Sequence, residues 1–391
     1  MTSNAPNAPK LQINTQFDGG AIEVVRIDDP RDIQLRIRPD NASEFAQWFY
    51  FAVYGTAGQS LRLRFLNASQ CAYPKGWDGY QVVASVDRQQ WTRIDTSYDG
   101  TELCAECVAE ADCVYFAYFE PYPYDRVLDL LGSVVHSEAV SLEHLGHTVE
   151  GRPMTLLHIR QPESDQATAA PLRKIWLIAR QHPGETMASW FIEGFLERLL
   201  DVEDPVARAL LARCEFYVVP HMNPDGAVRG NLRTNAVGAN LNREWLEPSV
   251  ERSPEVFWVR QKMLATGVDL SLDIHGDEGL PYNFLVGTEG RASFGPRIDG
   301  LQKEFKAAWL AASPDFQTQH GYPLPAPGQG NKTLATNWVG QQFDCLAFTI
   351  EMPFKDNADL PDPVVGWNGE RSRKLGASVL QPVLAVLSKL R

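Results

Sequence analysis

The sequence predicts an α/β protein in two parts: an N-terminal antiparallel β-sandwich over residues 1–125 and a helix-bearing domain over residues 126–391. Three observations lead to this. Up to about residue 120 the chain reads as short strands with no long helix between them. From about residue 126, apolar strands alternate with helical stretches, the pattern of a sheet covered on both faces. A chain of 391 residues is also long enough for two domains, or one large one, to bury a core without staples.

In the first part, RDIQLRIRPD, QWFYFAVYG, QSLRLRFLN, YQVVASVD, QWTRIDTSYDG and DCVYFAYFE alternate apolar with polar residues or concentrate β-branched and aromatic ones. Turn clusters with Gly, Asn or Asp separate them, which suggests a sandwich. In the second part KIWLIAR, CEFYVVPHMN, VDLSLDIHG, YNFLVG and CLAFTIEM read as strands. TMASWFIEGFLERLL, PEVFWVRQKMLA, GPRIDGLQKEFKAAWLAA and one C-terminal stretch, RSRKLGASVLQPVLAVLSKL, read as helices. No repeat interrupts this order, and PLPAPGQG at 323–330 is a Pro/Gly loop.

Lys plus Arg number 36 against 49 Asp plus Glu, a formal charge of −13. That balance argues against nonspecific binding to nucleic acid or an anionic membrane, though a local pocket can still be basic. The N-terminus, MTSNAPNAPKLQINTQ, has neither the basic nor the apolar region of a secretion leader, and no apolar run approaches a membrane span of roughly 20 residues. The expected location is cytoplasmic; a homo-oligomer is compatible with the sequence. Six cysteines without a leader argue for reduced thiols. Cys104, Cys107 and Cys113 cluster in LCAECVAEADC, but the segment lacks a clear fourth zinc ligand, so buried structural thiols are expected.

The residues that carry chemistry stand at strand ends, where α/β folds gather their sites. His182 and Glu185 follow KIWLIAR in QHPGET. A turn at Pro-Gly and a carboxylate at a helix start explain Glu185 without function, but leave His182 idle. NPDG (223–226) ends the next strand, His275 ends LDIHGDE, and Glu351 lies in TIEM. Two histidines and a glutamate form the ligand set of a hydrolytic zinc site that keeps a position for water. A separate carboxylate must then take the proton, and Glu351 amid CLAFTI and MPF is costly to bury without such a task.

HPGET, NPDG with GNLR, GANLNREW, HGD and TIE, in that order, resemble the metallocarboxypeptidases, and within them the cytosolic carboxypeptidases. QWFYF, WTRI and YFAYFEPYPYDRV are similar to the β-sandwich domain that precedes the peptidase domain there, so the resemblance spans roughly residues 20–390. It implies an α/β/α domain with a mixed sheet and one zinc per chain, held by His182, Glu185 and His275, with Glu351 activating the water. It further implies that Arg233 stabilises the oxyanion and that Asn242 and Arg243 hold the terminal carboxylate of a peptide or protein tail. An arginine fork suits that task, since an exopeptidase must recognise a free carboxylate.

Two positions depart from the family. Asn240 stands where relatives carry an aspartate that orients the first zinc-binding histidine; an amide still accepts an imidazole N–H, but without charge. The family's loop tyrosine has two candidates, Tyr282 and Tyr322, of which Tyr322 in the Pro/Gly loop is the better placed. Cytosolic carboxypeptidases trim acidic residues, and Lys332 lies at about the position of their pocket arginine; a solvated surface lysine after a Pro/Gly loop is the competing and slightly favoured reading. His221 matches no ligand position and is expected to be structural. Asp273, on the strand face of His275, either orients it or is a hydrogen-bonded acid; Asp277 and Glu278 read as loop acids. The leading expectation is a zinc carboxypeptidase. The alternatives are a zinc amidase on N-acyl amino acids and a catalytically silent binding protein.

Overall fold

The computed structural model describes residues 10–161 and 171–391. The first nine residues, on which the expected lack of a leader partly rests, lie outside the described residues. The N-terminal part is a sandwich of two five-stranded sheets. One contains β1 (Gln12–Asn14), β4 (Tyr50–Tyr54), β10 (Cys113–Ala117), β6 (Val83–Ser85) and β7 (Thr92–Arg93), in that spatial order and antiparallel throughout. The other runs β2 (Glu23–Arg26), β3 (Ile33–Arg36), β5 (Ser60–Phe65), β9 (Leu103–Val108) and β8 (Asp95–Tyr98).

β3 and β5 are parallel, an exception to the expected antiparallel order. Between them the chain crosses to the other sheet as β4, so β5 returns beside β3 in the same direction. β9 carries Cys104 and Cys107, and these thiols, with Cys113 on β10, are free and half-buried.

The second part is built on a seven-stranded mixed sheet. Its strands are β11 (Val140–His147), β12 (Pro153–Ile159), β13 (Arg173–Ala179), β14 (Cys214–Val219), β15 (Leu270–Asp277), β16 (Phe284–Val286) and β17 (Leu346–Pro353). The spatial order is β11-β12-β14-β13-β15-β17-β16, with β14, β13, β15 and β17 parallel and the flanking strands antiparallel. Around it lie α1 (Tyr124–Val134), α2 (Met187–Leu199), α3 (Pro205–Leu211), α4 (Pro224–Arg229), α5 (Pro254–Thr266), α6 (Pro296–Ala312), α7 (Ala335–Phe343), α8 (Gly369–Ser378) and α9 (Leu380–Val386). Among the described residues no helix is long and apolar enough to cross a membrane.

Alternation along β13 explains the layering. Ile175, Leu177 and Ala179 enter one core, which includes α2, while Trp176 and Ile178 enter a second with Trp245, Val259 and Trp338. The first core continues without a break into the sandwich through Phe49, Phe51, Tyr118 and Phe119. Tyr118 stacks on Phe354, which follows β17, at 4.6 Å between ring centroids. The single C-terminal helix expected from the sequence is two, α8 and α9. Pro382 has no N–H to offer the carbonyl of Ser378, and its ring clashes there, so α8 ends at that residue.

Candidate metal centre and active site

The parallel strands deliver their C-terminal ends to one place. β13 ends at Ala179, and Arg180 then adopts the left-handed conformation (φ 63°), uncommon outside glycine, which turns the chain sharply. Its buried guanidinium fixes that turn, donating to the carbonyls of Pro183 (2.9 Å) and Tyr122 (2.7 Å). Burial lowers its pKa to about 10, so it stays charged. Gly184 N donates to Leu232 O at 2.8 Å, and a Cβ on Gly184 would sit 3.0 Å from that same oxygen. The Pro-Gly turn thus serves a close backbone approach as well as a reversal. It brings His182 and Glu185 onto one side.

His182 Nδ1 lies 2.7 Å from Glu185 Oε1, and His275 Nδ1 lies 2.8 Å from Glu185 Oε2. The two Nδ1 atoms are 3.2 Å apart. Each outer nitrogen faces an oxygen: His182 Nε2 is 3.1 Å from Asn240 Oδ1, and His275 Nε2 is 3.0 Å from Asp273 Oδ1. A proton on Nε2 donated outward leaves the Nδ1 lone pair pointing inward, the tautomer a metal needs. Gln181 braces this shell, donating through Nε2 to both Asp273 oxygens (2.9 and 2.8 Å) and accepting from Trp245 Nε1 (2.8 Å).

Burial, with the Arg233 charge adding to it, pushes the His182 pKa down to about 4 and keeps that ring neutral. Burial would raise Glu185, but the two histidines outweigh it and hold its carboxyl well below the usual range. Among the described residues these three form the one group of His, Cys, Asp or Glu donors that converges, all within 4.8 Å. Two neutral-capable nitrogens and a carboxylate, buried and held from behind, fit a divalent zinc ion.

Glu351 on β17 is the register partner of His275 on β15 and is buried. Its Oε2 has no hydrogen-bond partner, and burial, with Glu185, Asp277 and Glu278 nearby, pushes its pKa well up. Tyr322 follows, its hydroxyl donating to Asp277 and lying 3.5 Å from Glu351 Oε1. Asn242 Oδ1 accepts from Ala335 N at the start of α7 (2.9 Å), which leaves Nδ2 as the free end. That Nδ2 lies 3.4 Å from His275 Nε2, a nitrogen whose proton faces Asp273, so it remains a donor for a ligand. Arg243 is exposed and donates to the Asn242 carbonyl (2.7 Å). No protein hydrogen bond engages the Arg233 guanidinium among the described residues; it lies over the Phe45 and Tyr73 rings.

His182, Glu185, His275, Glu351, Tyr322, Asn242, Arg243 and Arg233 line one cavity of about 520 Å³, while Asn240, Asp273 and Gln181 stand behind the histidines. Lys332 is exposed and outside it, so the structure does not bring this residue to the site. Leu334, two residues on, reaches the cavity because α7 begins immediately after it. Glu278, read as a loop acid, is a buried wall residue with Oε1 unpartnered; burial raises its pKa to about 8. Tyr73 and Lys75, from the sandwich, line the cavity too, and nothing in their sequence signals this. His221 lies outside the cavity, its Nδ1 accepting from Asn223 N at 3.2 Å, as a structural histidine does.

Residues 13–119 match the family model described as the cytosolic carboxypeptidase N-terminal domain, and residues 128–363 match that of the zinc carboxypeptidases. A metallo-carboxypeptidase structure from Burkholderia cenocepacia is 51% identical, with a TM-score of 0.94 over 97% of this chain and 99% of that one. One from Pseudomonas aeruginosa, in complex with (2-guanidinoethylmercapto)succinic acid, is 47% identical with a TM-score of 0.93 over 97% and 100% of the two chains. Mouse cytosolic carboxypeptidase 6 is 29% identical over 73% of this chain, which spans only 56% of that protein's length. The family uses one zinc, for which the His182, Glu185 and His275 set is suited, and its members remove residues from peptide C-termini. The chain belongs to the zinc carboxypeptidases and is a metal-dependent exopeptidase.

Proposed function

We propose that this carboxypeptidase prefers acidic C-terminal residues, on peptides or protein tails in the cytoplasm, and that its site residues divide the work as follows. His182, Glu185 and His275 hold the zinc, which when bound supplies the Lewis acidity that polarises the scissile carbonyl and acidifies a water. Glu351, unpartnered at Oε2, takes the proton of the attacking water and returns it to the leaving amine. Arg233, with its N–H groups free, donates to the carbonyl oxygen as negative charge develops there. Arg243 and the Asn242 Nδ2 hold the terminal carboxylate, and the Tyr322 hydroxyl, beside Glu351, closes over the substrate.

One observation carries the acidic preference: Lys75 lines the cavity and has no ion-pair partner among the described residues. A side-chain carboxylate would supply that partner. The Pseudomonas aeruginosa relative was solved with a ligand that bears two carboxylates and a guanidino group. The guanidino group of that ligand favours a second reading, with Glu278 taking a basic side chain. Burial raises the Glu278 pKa to about 8, so a basic side chain must displace its proton before the two can pair. Cleavage rates on a peptide series differing only in the last residue decide between them. Glu and Asp are expected to lead; a lead for Lys or Arg overturns the acidic reading in favour of the second, and a lead for Phe overturns both. Amidated C-termini should not be cleaved, because Arg243 then loses its charged partner.

A further inference from the structure

We propose that the sandwich is a working part of the active site, and that Asp40 is the residue through which it positions Arg233. The proposal rests on the role given above to Arg233. Asp40 is buried, at 4% exposure, and its carboxylate gathers every polar hydrogen of one short turn. Oδ1 accepts from Leu232 N (2.6 Å), and Oδ2 accepts from Arg233 N (2.8 Å), Thr234 N (2.9 Å) and Thr234 Oγ1 (3.0 Å). Three consecutive backbone N–H groups aimed at one anion form a nest, and here the anion comes from a residue more than 190 positions away.

The surrounding contacts hold the two segments together. Asn41 Nδ2 donates to Ala236 O (2.6 Å), and Asn231 Nδ2 donates to Asn41 Oδ1 (2.7 Å). Gly238, at φ 80°, passes so close to Ala42 that a Cβ would fall 2.2 Å from its carbonyl oxygen. The guanidinium itself lies 5.5 Å from the Phe45 ring centroid and 5.6 Å from that of Tyr73, both sandwich residues. Cation–π attraction on two rings steers the charge without consuming its N–H groups, which stay free for the carbonyl oxygen. Backbone and side chain of Arg233 are thus both set by the sandwich. A transition-state donor must sit correctly before the reaction, and a displacement of about 1 Å costs on the order of 10²-fold in rate.

The test is a double-mutant cycle on the zinc-loaded full chain, with Asp40→Asn, Arg233→Ala and the pair, using the most rapidly cleaved peptide of the series above. Zinc content and Tm are recorded, as is affinity for a phosphonate analogue of the tetrahedral state and for the free amino-acid product. Asp40→Asn keeps the size of the side chain but sets an amide N–H against a backbone donor. It should lower kcat about 10–100-fold with KM nearly unchanged. Phosphonate affinity should fall in step, while product affinity and zinc content hold. In the Arg233→Ala background the same substitution should cost nothing more. An equal loss in both backgrounds would mean general disruption and overturns the proposal, as does an unchanged kcat in the folded single variant. Should Asp40→Asn not fold, Thr234→Val removes one of the four donors and carries the same cycle, with a several-fold loss expected in kcat and none in the Arg233→Ala background. If Arg233→Ala alone keeps wild-type kcat and phosphonate affinity, the role of Arg233 fails and takes this proposal with it, a result separate from the failure of Asp40.

Discussion

The two walls of the cavity are built differently. On the sheet side the metal-facing histidines have their backs covered: His182 rests on Asn240, His275 on Asp273, and Asp273 on Gln181. All but Asn240, which is half-buried, are buried. The open part of the lining is Lys75, Arg243 and Tyr322, all exposed, Tyr322 by 43%. The difference suits the roles proposed for these groups. Donors to a metal must be fixed to within fractions of an ångström, which takes supporting hydrogen bonds and a dry core. Groups that recognise a substrate end must first let it in, so they keep exposed, adaptable side chains.

The largest expected effect tests whether chemistry is confined to the closed wall. Glu351→Gln should retain zinc and lose roughly 10²–10⁴-fold in kcat, the usual worth of a positioned base. The amide keeps size and hydrogen bonding and removes only the basic site. His275→Ala should lose the zinc itself, and metal analysis of the two purified variants separates the roles. Near-normal turnover in zinc-loaded Glu351→Gln protein would move the base elsewhere.

Burial of a carboxyl away from the cavity carries a cost too, visible at Glu255 at the start of α5. This carboxyl is fully buried against Asn235 Nδ2 (3.2 and 3.4 Å), and burial raises its pKa from 4.5 to about 7. Between those two values the folded chain binds a proton that the unfolded chain has released. Stability therefore falls as pH rises through this window, by roughly 3 kcal/mol at most. Glu255→Gln, still able to accept from Asn235, should be more stable than the wild type at pH 8 and equal to it near pH 4. Urea unfolding at the two pH values checks this, and an equal difference at both would assign the effect to packing instead.

The supports behind the histidines come next. Asp273→Asn should weaken zinc binding about 10–100-fold, since His275 loses a charged acceptor. Asn240→Asp runs the other way, adding charge behind His182, and should tighten zinc. Competition with a chelator measures both. Unchanged affinity in the pair would show that the inner donors alone set it.

How much was legible divides along the same line. HxxE, HGD and TIE could be read because each donor sits at the end of its own apolar strand, so local sequence fixed type and place together. The pairing of His275 with Glu351 is a sheet register, which no single segment encodes. Asp40, Phe45, Tyr73 and Lys75 were invisible as site residues, since their approach to Arg233 and the cavity arises from docking of segments far apart in the chain. Glu278 was misread because its burial is tertiary. The hairpin of β11 and β12 escaped notice because EHLGHTVEGRPM breaks the alternation with a bulge near Gly146. β9, LCAECV, signals a strand only weakly because it holds one β-branched residue and no aromatic.

The smallest effect addresses the open wall and decides between two lysines. Lys332 was the sequence's candidate for selecting acidic residues, but it lies outside the cavity, while Lys75 lines it from the sandwich. Lys75 is exposed, so an ion pair with a substrate carboxylate is worth about 0.5–1 kcal/mol. Lys75→Ala should therefore lower the ratio of kcat/KM for Glu-ending over Phe-ending peptides by about 2–5-fold. Salt should erode the wild-type ratio by a similar amount, because the pair forms within reach of solvent ions. Lys75→Glu should push the ratio lower still by setting like charges together, whereas Lys332→Ala should leave it untouched. The opposite pattern, with Lys332→Ala lowering the ratio and Lys75→Ala silent, would return selectivity to the Pro/Gly loop. It would also leave the sandwich to act on catalysis through Arg233 alone.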